Sequence, residues 1–215
     1  MHRWAYCRLT ELVDKKIGII LDGLRKSPYA DNTLVIFSSD HGDHDASHRL
    51  EHKTLFYEEA MNVPLIVCPP GSLVQKANKP TKVNNQNLVC IGTDLLPTVC
   101  DYAGAKAPED LPGRSFRPLL AGKKVKDWPE AILIENQVGD AVVTADWKYA
   151  SMLDQKDIPK LNPKKYSNPK VTKILCHLSE DPGEMKNLAY LPKYKKKVKQ
   201  MQALLDELQK TQCKK

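Results

Sequence analysis

Four of the six histidines of this 215-residue chain fall within twelve residues, in the run Ser39-Asp40-His41-Gly42-Asp43-His44-Asp45-Ala46-Ser47-His48-Arg49-Leu50-Glu51-His52. Asp40 and His41 set a carboxylate beside an imidazole, and both are common metal ligands. They follow Thr33-Leu34-Val35-Ile36-Phe37-Ser38, whose β-branched and aromatic residues predict a strand over 33–38. In an open α/β sheet, ligands bind outside the carboxyl ends of the strands. A strand that ends in Asp-His-Gly therefore delivers two donors to that edge. Gly42 is expected to let the backbone turn away sharply behind them. Asp-His-Gly alone also describes a solvated turn, so the longer pattern has to carry the reading. Lys53 comes next, and Leu55-Phe56-Tyr57 begins a short helix expected over 55–61. A second strand is expected over 63–68, through Val63-Pro64-Leu65-Ile66-Val67.

Residues 33–71 resemble the metal-binding segment of the sulfatases, in the alkaline phosphatase superfamily. The pattern T-x-V-x-F-x-S-D-H/N-G is present as Thr33 to Gly42. His48 stands eight positions and Lys53 thirteen positions after Asp40, the family spacing. Tyr57-Glu58-Glu59-Ala60 and Val63-Pro64-Leu65-Ile66-Val67-Cys68-Pro69-Pro70-Gly71 follow in order. So do Thr93-Asp94-Leu95-Leu96-Pro97-Thr98, Leu111-Pro112-Gly113-Arg114-Ser115, Trp147-Lys148-Tyr149 and Asp181-Pro182-Gly183-Glu184-Met185-Lys186-Asn187-Leu188-Ala189. The resemblance runs nearly end to end. It implies Asp40 and His41 as metal ligands, with calcium the expected divalent ion. It implies Lys53 as a catalytic and sulfate-binding cation, and His48 as a catalytic candidate that either lines the pocket or supports the loop. His44 and His52 read as loop or supporting residues.

Two features depart from the family. The glycines that flank the loop histidine are Ala46 and Arg49 here. Arg49 is open to two readings, a contact to an anionic substrate or a solvated loop residue. The C/S-x-P-x-R motif, whose Cys or Ser becomes the formylglycine nucleophile, is absent, and so is the early Asp-Asp pair of metal ligands. Cys68-Pro69-Pro70-Gly71-Ser72 has Cys and Pro at the right offset, but Ser72 stands where Arg is required. The chain is thus expected to be the C-terminal part of a sulfatase, with the formylglycine in a missing N-terminal half. The substrate class implied is a sulfated small molecule or glycan. The alternatives are a phosphonate or phosphodiester hydrolase of the same superfamily, and a non-catalytic fragment or split subunit. An isolated chain of this kind is expected to be inactive, and to self-associate through the surface its other half would cover.

The 41% apolar content supports a sizeable core, and no apolar run approaches the ~18 residues of a membrane span. The first thirty residues carry charges throughout and do not read as a signal peptide. A periplasmic or extracellular location is implied by the resemblance alone. Six cysteines scattered without C-x-x-C spacing argue against a zinc cluster and read best as isolated thiols. The net charge of +7 is uneven: residues 151–215 hold 15 Lys and 7 acidic residues, whereas residues 1–150 balance at −1. A basic C-terminal part could draw in a sulfated polysaccharide by long-range attraction, or could be only a solvated lysine face. No basic stretch is interleaved with aromatics, so nucleic acid is not the expected partner.

The fold class expected is α/β: the C-terminal portion of an alkaline-phosphatase-like sheet with flanking helices over 1–125, then a small antiparallel sheet subdomain packed by a C-terminal helix over 126–215. Trp4, Leu9, Leu12, Val13, Ile17, Ile20, Leu21 and Leu24 recur at helical steps and predict a helix from Arg3 to Lys26. Val89–Ile91 reads as a short strand, and Asp94 as the cap of a helix over 95–104. A short helix is expected near 115–121. Strands are expected at 131–136, 140–145, 147–152 and 171–178, with a proline-bearing insertion at 153–169 and an amphipathic helix over 192–211.

Overall fold

The computed structural model describes residues 2–71, 83–153 and 171–212. The expected insertion therefore lies almost wholly outside the described residues, as does most of the 72–87 loop. Helix α1 (His2–Arg25) leads to strand β1 (Val35–Phe37), helix α2 (Glu58–Met61) and strand β2 (Ile66–Cys68). Helices α3 (Ile91–Ala103) and α4 (Arg117–Leu120) follow. Then come β3 (Ala131–Asn136), β4 (Gly139–Thr144), β5 (Trp147–Met152), β6 (Lys173–His177) and α5 (Lys195–Gln212).

Strands β3 to β6 form an antiparallel meander in the order β3-β4-β5-β6. The two-residue side-chain period gives this sheet two apolar faces. Val142, Tyr149 and Leu175 are paired across three strands and face α5, which covers them with Met201 and Leu205. Ala141, Ala150, Ile174 and Cys176 face the other way and pack against Leu55 and Phe56. That second layer positions the site, because Leu55 and Phe56 belong to the segment between Lys53 and α2.

Strands β1 and β2 pair antiparallel, Ile36 opposite Val67. Ser38 Oγ donates to Pro64 O at 2.8 Å just beyond this ribbon. Helix α1 keeps the expected bounds to within a residue, but its apolar stripe is uncovered: Trp4 is 69% exposed, Leu9 61% and Ile20 69%. An amphipathic helix ordinarily buries such a stripe.

Two expectations around α3 are corrected. Val89–Ile91 is not a strand; α3 begins at Ile91 with Cys90 as its N-cap residue. Asp94 is not the cap residue, since it lies inside the first turn. Its buried carboxylate reaches back to accept from Cys90 N at 2.9 Å, and accepts from Arg114 N at 3.0 Å. Thr98 Oγ1 donates to Asp94 O and accepts from Phe116 N. The Asp-Leu-Leu-Pro-Thr and Pro-Gly-Arg-Ser segments are thereby tied together. Gly113 sits so close that a Cβ there would lie 2.0 Å from Thr93 O. That carbonyl has lost its helical donor, because residue 97 is proline.

Candidate active site

The described residues bring Asp40, His41 and Lys53 together just beyond β1. His41 Nε2 lies 3.3 Å from Asp40 Oδ2, and Lys53 Nζ contacts His41 Nε2. His41 Nδ1 lies 2.7 Å from Gly42 O, so it carries the proton and donates to that carbonyl. Nε2 is the nitrogen that points at Asp40 and Lys53. Asp40 accepts from the backbone N–H of His41 at 3.0 Å, and this bond is the first cause that holds its pKa below the ordinary carboxylate value. The side chain of Asp40 is 82% exposed, so its carboxylate is free to meet a cation or a partner surface.

Gly42 has a different role from the expected turn. It is not among the residues with positive φ. Its N–H donates to Ala60 O at 2.8 Å, and a Cβ would lie 1.9 Å from Glu59 O. The residue is glycine because the chain passes against the backbone of α2. This contact fixes the two donors relative to the layer that rests on the β3–β6 sheet.

Residues 44–52 form a closed loop, with His44 N donating to His52 O and Ala46 N to Leu50 O. Tyr57 stands at its base. His48 stacks on Tyr57 at 3.8 Å between ring centroids and lies 3.6 Å from Glu59, with only 10% of its side chain exposed. Its contacts thus support the loop, and none of them is with Asp40, His41 or Lys53. Arg49 projects from the loop into solvent. Five non-glycine residues of the loop have positive φ: Asp45, Ala46, His48, Arg49 and His52. Ala46 (φ 69) and Arg49 (φ 59) are the positions where the resembling pattern has glycine, and their conformation is the one glycine adopts without strain.

Beneath the loop, sequence reasoning read His44 as a loop or supporting residue and missed the charged groups around Lys148. His44 is buried, edge-on to Tyr57, and its pKa is lowered by loss of solvation. Its Nε2 accepts from Leu55 N at 3.4 Å. Lys148 is fully buried between Glu58 at 2.5 Å and Glu184 at 2.9 Å. Glu184 also accepts from Glu58 N at 2.6 Å, and burial pushes its pKa up. These three residues come from the Tyr-Glu-Glu, Trp-Lys-Tyr and Asp-Pro-Gly-Glu segments. The available signal was the lone Lys148 between Trp147 and Tyr149, and the acids Glu58 and Glu184 in the two other segments, which offer it opposite charge.

Two donors do not make a metal site, and no group of three or more His, Cys, Asp or Glu suited to a metal occurs among the described residues. The chemistry of Asp40 and His41 nevertheless fits one side of such a site: a carboxylate oxygen and an imidazole nitrogen in reach of each other. No helix among the described residues is long and apolar enough to cross a membrane. The five described cysteines are free, and Cys176 alone among them is buried.

Comparison with known proteins gives consistent neighbours. A family model described as N-sulphoglucosamine sulphohydrolase, C-terminal, matches residues 46–211. The Delta 4,5-hexuronate-2-O-sulfatase of Bacteroides thetaiotaomicron is 34% identical over 212 residues, 94% of this chain and 40% of its own length. A solved 2-O GAG sulfatase is 32% identical, with a TM-score of 0.76 over 95% of this chain and 42% of that one. The phosphonate monoester hydrolase of Agrobacterium radiobacter shares the fold, with a TM-score of 0.70 at 21% identity over 93% of this chain and 39% of that one. This chain spans 40% of the first of these relatives by length.

Proposed function

The chain belongs to the sulfatase family, as the C-terminal part of such a protein, and from that premise we propose that its site serves the hydrolysis of a sulfate ester carried on a glycan. The observation that supports this reading is the meeting of Asp40, His41 and Lys53 beyond β1. The hexuronate-2-O-sulfatase and GAG sulfatase names of the two relatives support the substrate class.

Asp40 and His41 would hold a divalent ion: the carboxylate suits calcium, and the imidazole also suits a softer divalent ion. When bound, that ion polarises the sulfuryl oxygens. Lys53 would bind the sulfate and offset charge developing on the leaving oxygen. His48 and Tyr57 would hold the loop, and Arg49 would face an anionic group of the substrate. The remaining ligands and the formylglycine would come from an N-terminal half. Support for such a half comes from α1, whose exposed Trp4, Leu9 and Ile20 need a cover, and from Phe37 and Ile66 on the β1–β2 ribbon, 40% and 58% exposed. The 215-residue chain alone would turn over no sulfate ester.

The test is a chimera in which this chain replaces the corresponding part of the hexuronate-2-O-sulfatase. Sulfate release from sulfated disaccharides is measured, with a phosphonate monoester beside them. The chimera is expected to release sulfate, and Lys53→Ala to lower kcat/KM by about 100–1,000-fold, the usual effect of removing one donor to a developing anion. Full activity of the Lys53→Ala chimera, preference for the phosphonate, or turnover by the unaided chain would each overturn the reading.

A further inference from the structure

The lysine-rich start of α5 is poorly suited to its own helix. Lys193, Lys195, Lys196, Lys197 and Lys199 crowd into seven residues, and the first turn of α5 holds no acid. Positive charge at that end opposes the helix macrodipole. Lys195 and Lys199 stand four residues apart and Lys196 and Lys199 three apart, so like charges are neighbours on the helix surface. None of the five forms an ion pair among the described residues. Lys193 lies over the Tyr194 ring and Lys197 over the Trp147 ring, which gives two of them no counter-charge. An arrangement that local rules disfavour calls for a compensating role.

The charge suits an anion with several negative groups. Pro192, Lys193, Lys195, Lys196 and Lys199 line one open groove of about 420 Å³. The apolar side of the helix is already used, since Met201 and Leu205 are buried against β4, β5 and β6. A membrane surface would need that face free for insertion. What remains exposed is a strip of lysines beside Pro192. It lies on the face of the β3–β6 sheet opposite Leu55, Phe56 and the Lys53 site.

We propose that this strip is a second binding surface for a sulfated polysaccharide, holding the polymer away from the site beyond β1. The choice of polymer rests on the sulfatase reading; the cationic strip itself does not. A remote anchor of this kind raises the local concentration of sulfate esters near the site, as any second point of attachment does.

The test is binding without turnover. The intact 215-residue chain is titrated with a short dextran sulfate fraction, with unsulfated dextran of equal length, and with a single-stranded oligonucleotide of equal charge. In one variant Lys193, Lys195, Lys196 and Lys199, all exposed, become Gln. In a second, Lys15, Lys16, Lys123 and Lys124 become Gln, which changes net charge equally at distant exposed positions. The parent is expected to bind dextran sulfate and not dextran. The α5 variant should lose at least about tenfold in affinity. Its plot of log affinity against log salt should flatten by roughly 3, four charges at about 0.7 each. The distant variant should change less than twofold. Melting curves show whether each variant is folded, and replacing the same four lysines by Arg should preserve binding. Equal losses in the two Gln variants would reduce the strip to net charge and overturn the proposal. Unchanged binding in the folded α5 variant, or tighter binding of the oligonucleotide, would overturn it as well. Failure of the chimera assay with the strip intact would instead strike the sulfatase reading.

Discussion

Replacing Lys148 by Met leaves Glu184 buried without its cation, and the consequence can be worked from the geometry. Lys148 is fully buried, Glu58 is partly exposed and Glu184 is 1% exposed at its side chain. Glu58 can turn to water, but Glu184 cannot. A buried carboxylate that loses its partner escapes by taking up a proton. At pH 7 that uptake costs about 1.4 kcal/mol for each pH unit above the unfolded pKa. The ordinary value is 4.5, so the cost is at most about 3.4 kcal/mol over roughly 2.5 units, less the part that the parent already bears through its own raised Glu184 pKa. That ceiling sits within the ~3–5 kcal/mol seen when one member of a buried pair is removed. For a chain of this length the full amount lowers Tm by up to roughly 7–14 °C. The sign with pH follows from linkage. The folded pKa of Glu184 is raised, so the folded state binds the proton more tightly than the unfolded chain. Its favourable contribution is complete below the unfolded pKa and is lost as pH rises through the folded pKa. With Lys148 gone that pKa rises further, so the deficit grows with pH and shrinks toward pH 4.5. Thermal melts of the parent and Lys148→Met from pH 5 to 8 measure this. A double variant with Glu184→Gln should recover most of the loss, since no buried charge remains. A Tm within two degrees of the parent at pH 7, or a deficit that ignores pH, would refute the argument.

Two further expectations concern the loop and its support. Ala46→Gly should stabilise the chain by about 1 kcal/mol, because Ala46 sits at φ 69 where glycine carries no strain; denaturant titration at unchanged m-value reads this, and no gain would mean the strain is absorbed elsewhere. Gly42→Ala should destabilise by at least about 2 kcal/mol, since its Cβ would lie 1.9 Å from Glu59 O and the backbone must move; a melt equal to the parent would show that α2 yields freely.

The sequence revealed the elements better than it revealed what joins them. The strand ending in Asp-His-Gly, the four strands of an antiparallel sheet and the amphipathic α5 were all legible in the sequence, and the structure adds the meander order β3-β4-β5-β6. The Val89-Cys90-Ile91 run was not, because a short apolar stretch has the same pattern at a helix start as in a strand. Asp94 was misplaced for a related reason. A carboxylate inside the first turn can reach back to the same amides as one placed before the helix. His44 was legible as a loop or supporting residue, but its burial was not, since that depends on Leu55 and Tyr57 packing against it.

The segments that carried the family resemblance turn out to differ in kind. Asp40, His41 and Lys53 lie at the exposed edge of the layer, where chemistry with an outside partner is available. Glu58, Lys148 and Glu184, from three other segments, lie buried beneath it and close on one another. Gly42 connects the two groups by resting the Asp-His turn on α2, whose first residue is Glu58. A motif can therefore persist in a site-bearing fold because it holds the site rather than because it touches substrate. The distinction is physical: a charged residue that acts on a ligand must keep a path to it, and Lys148, unlike Lys53, has none.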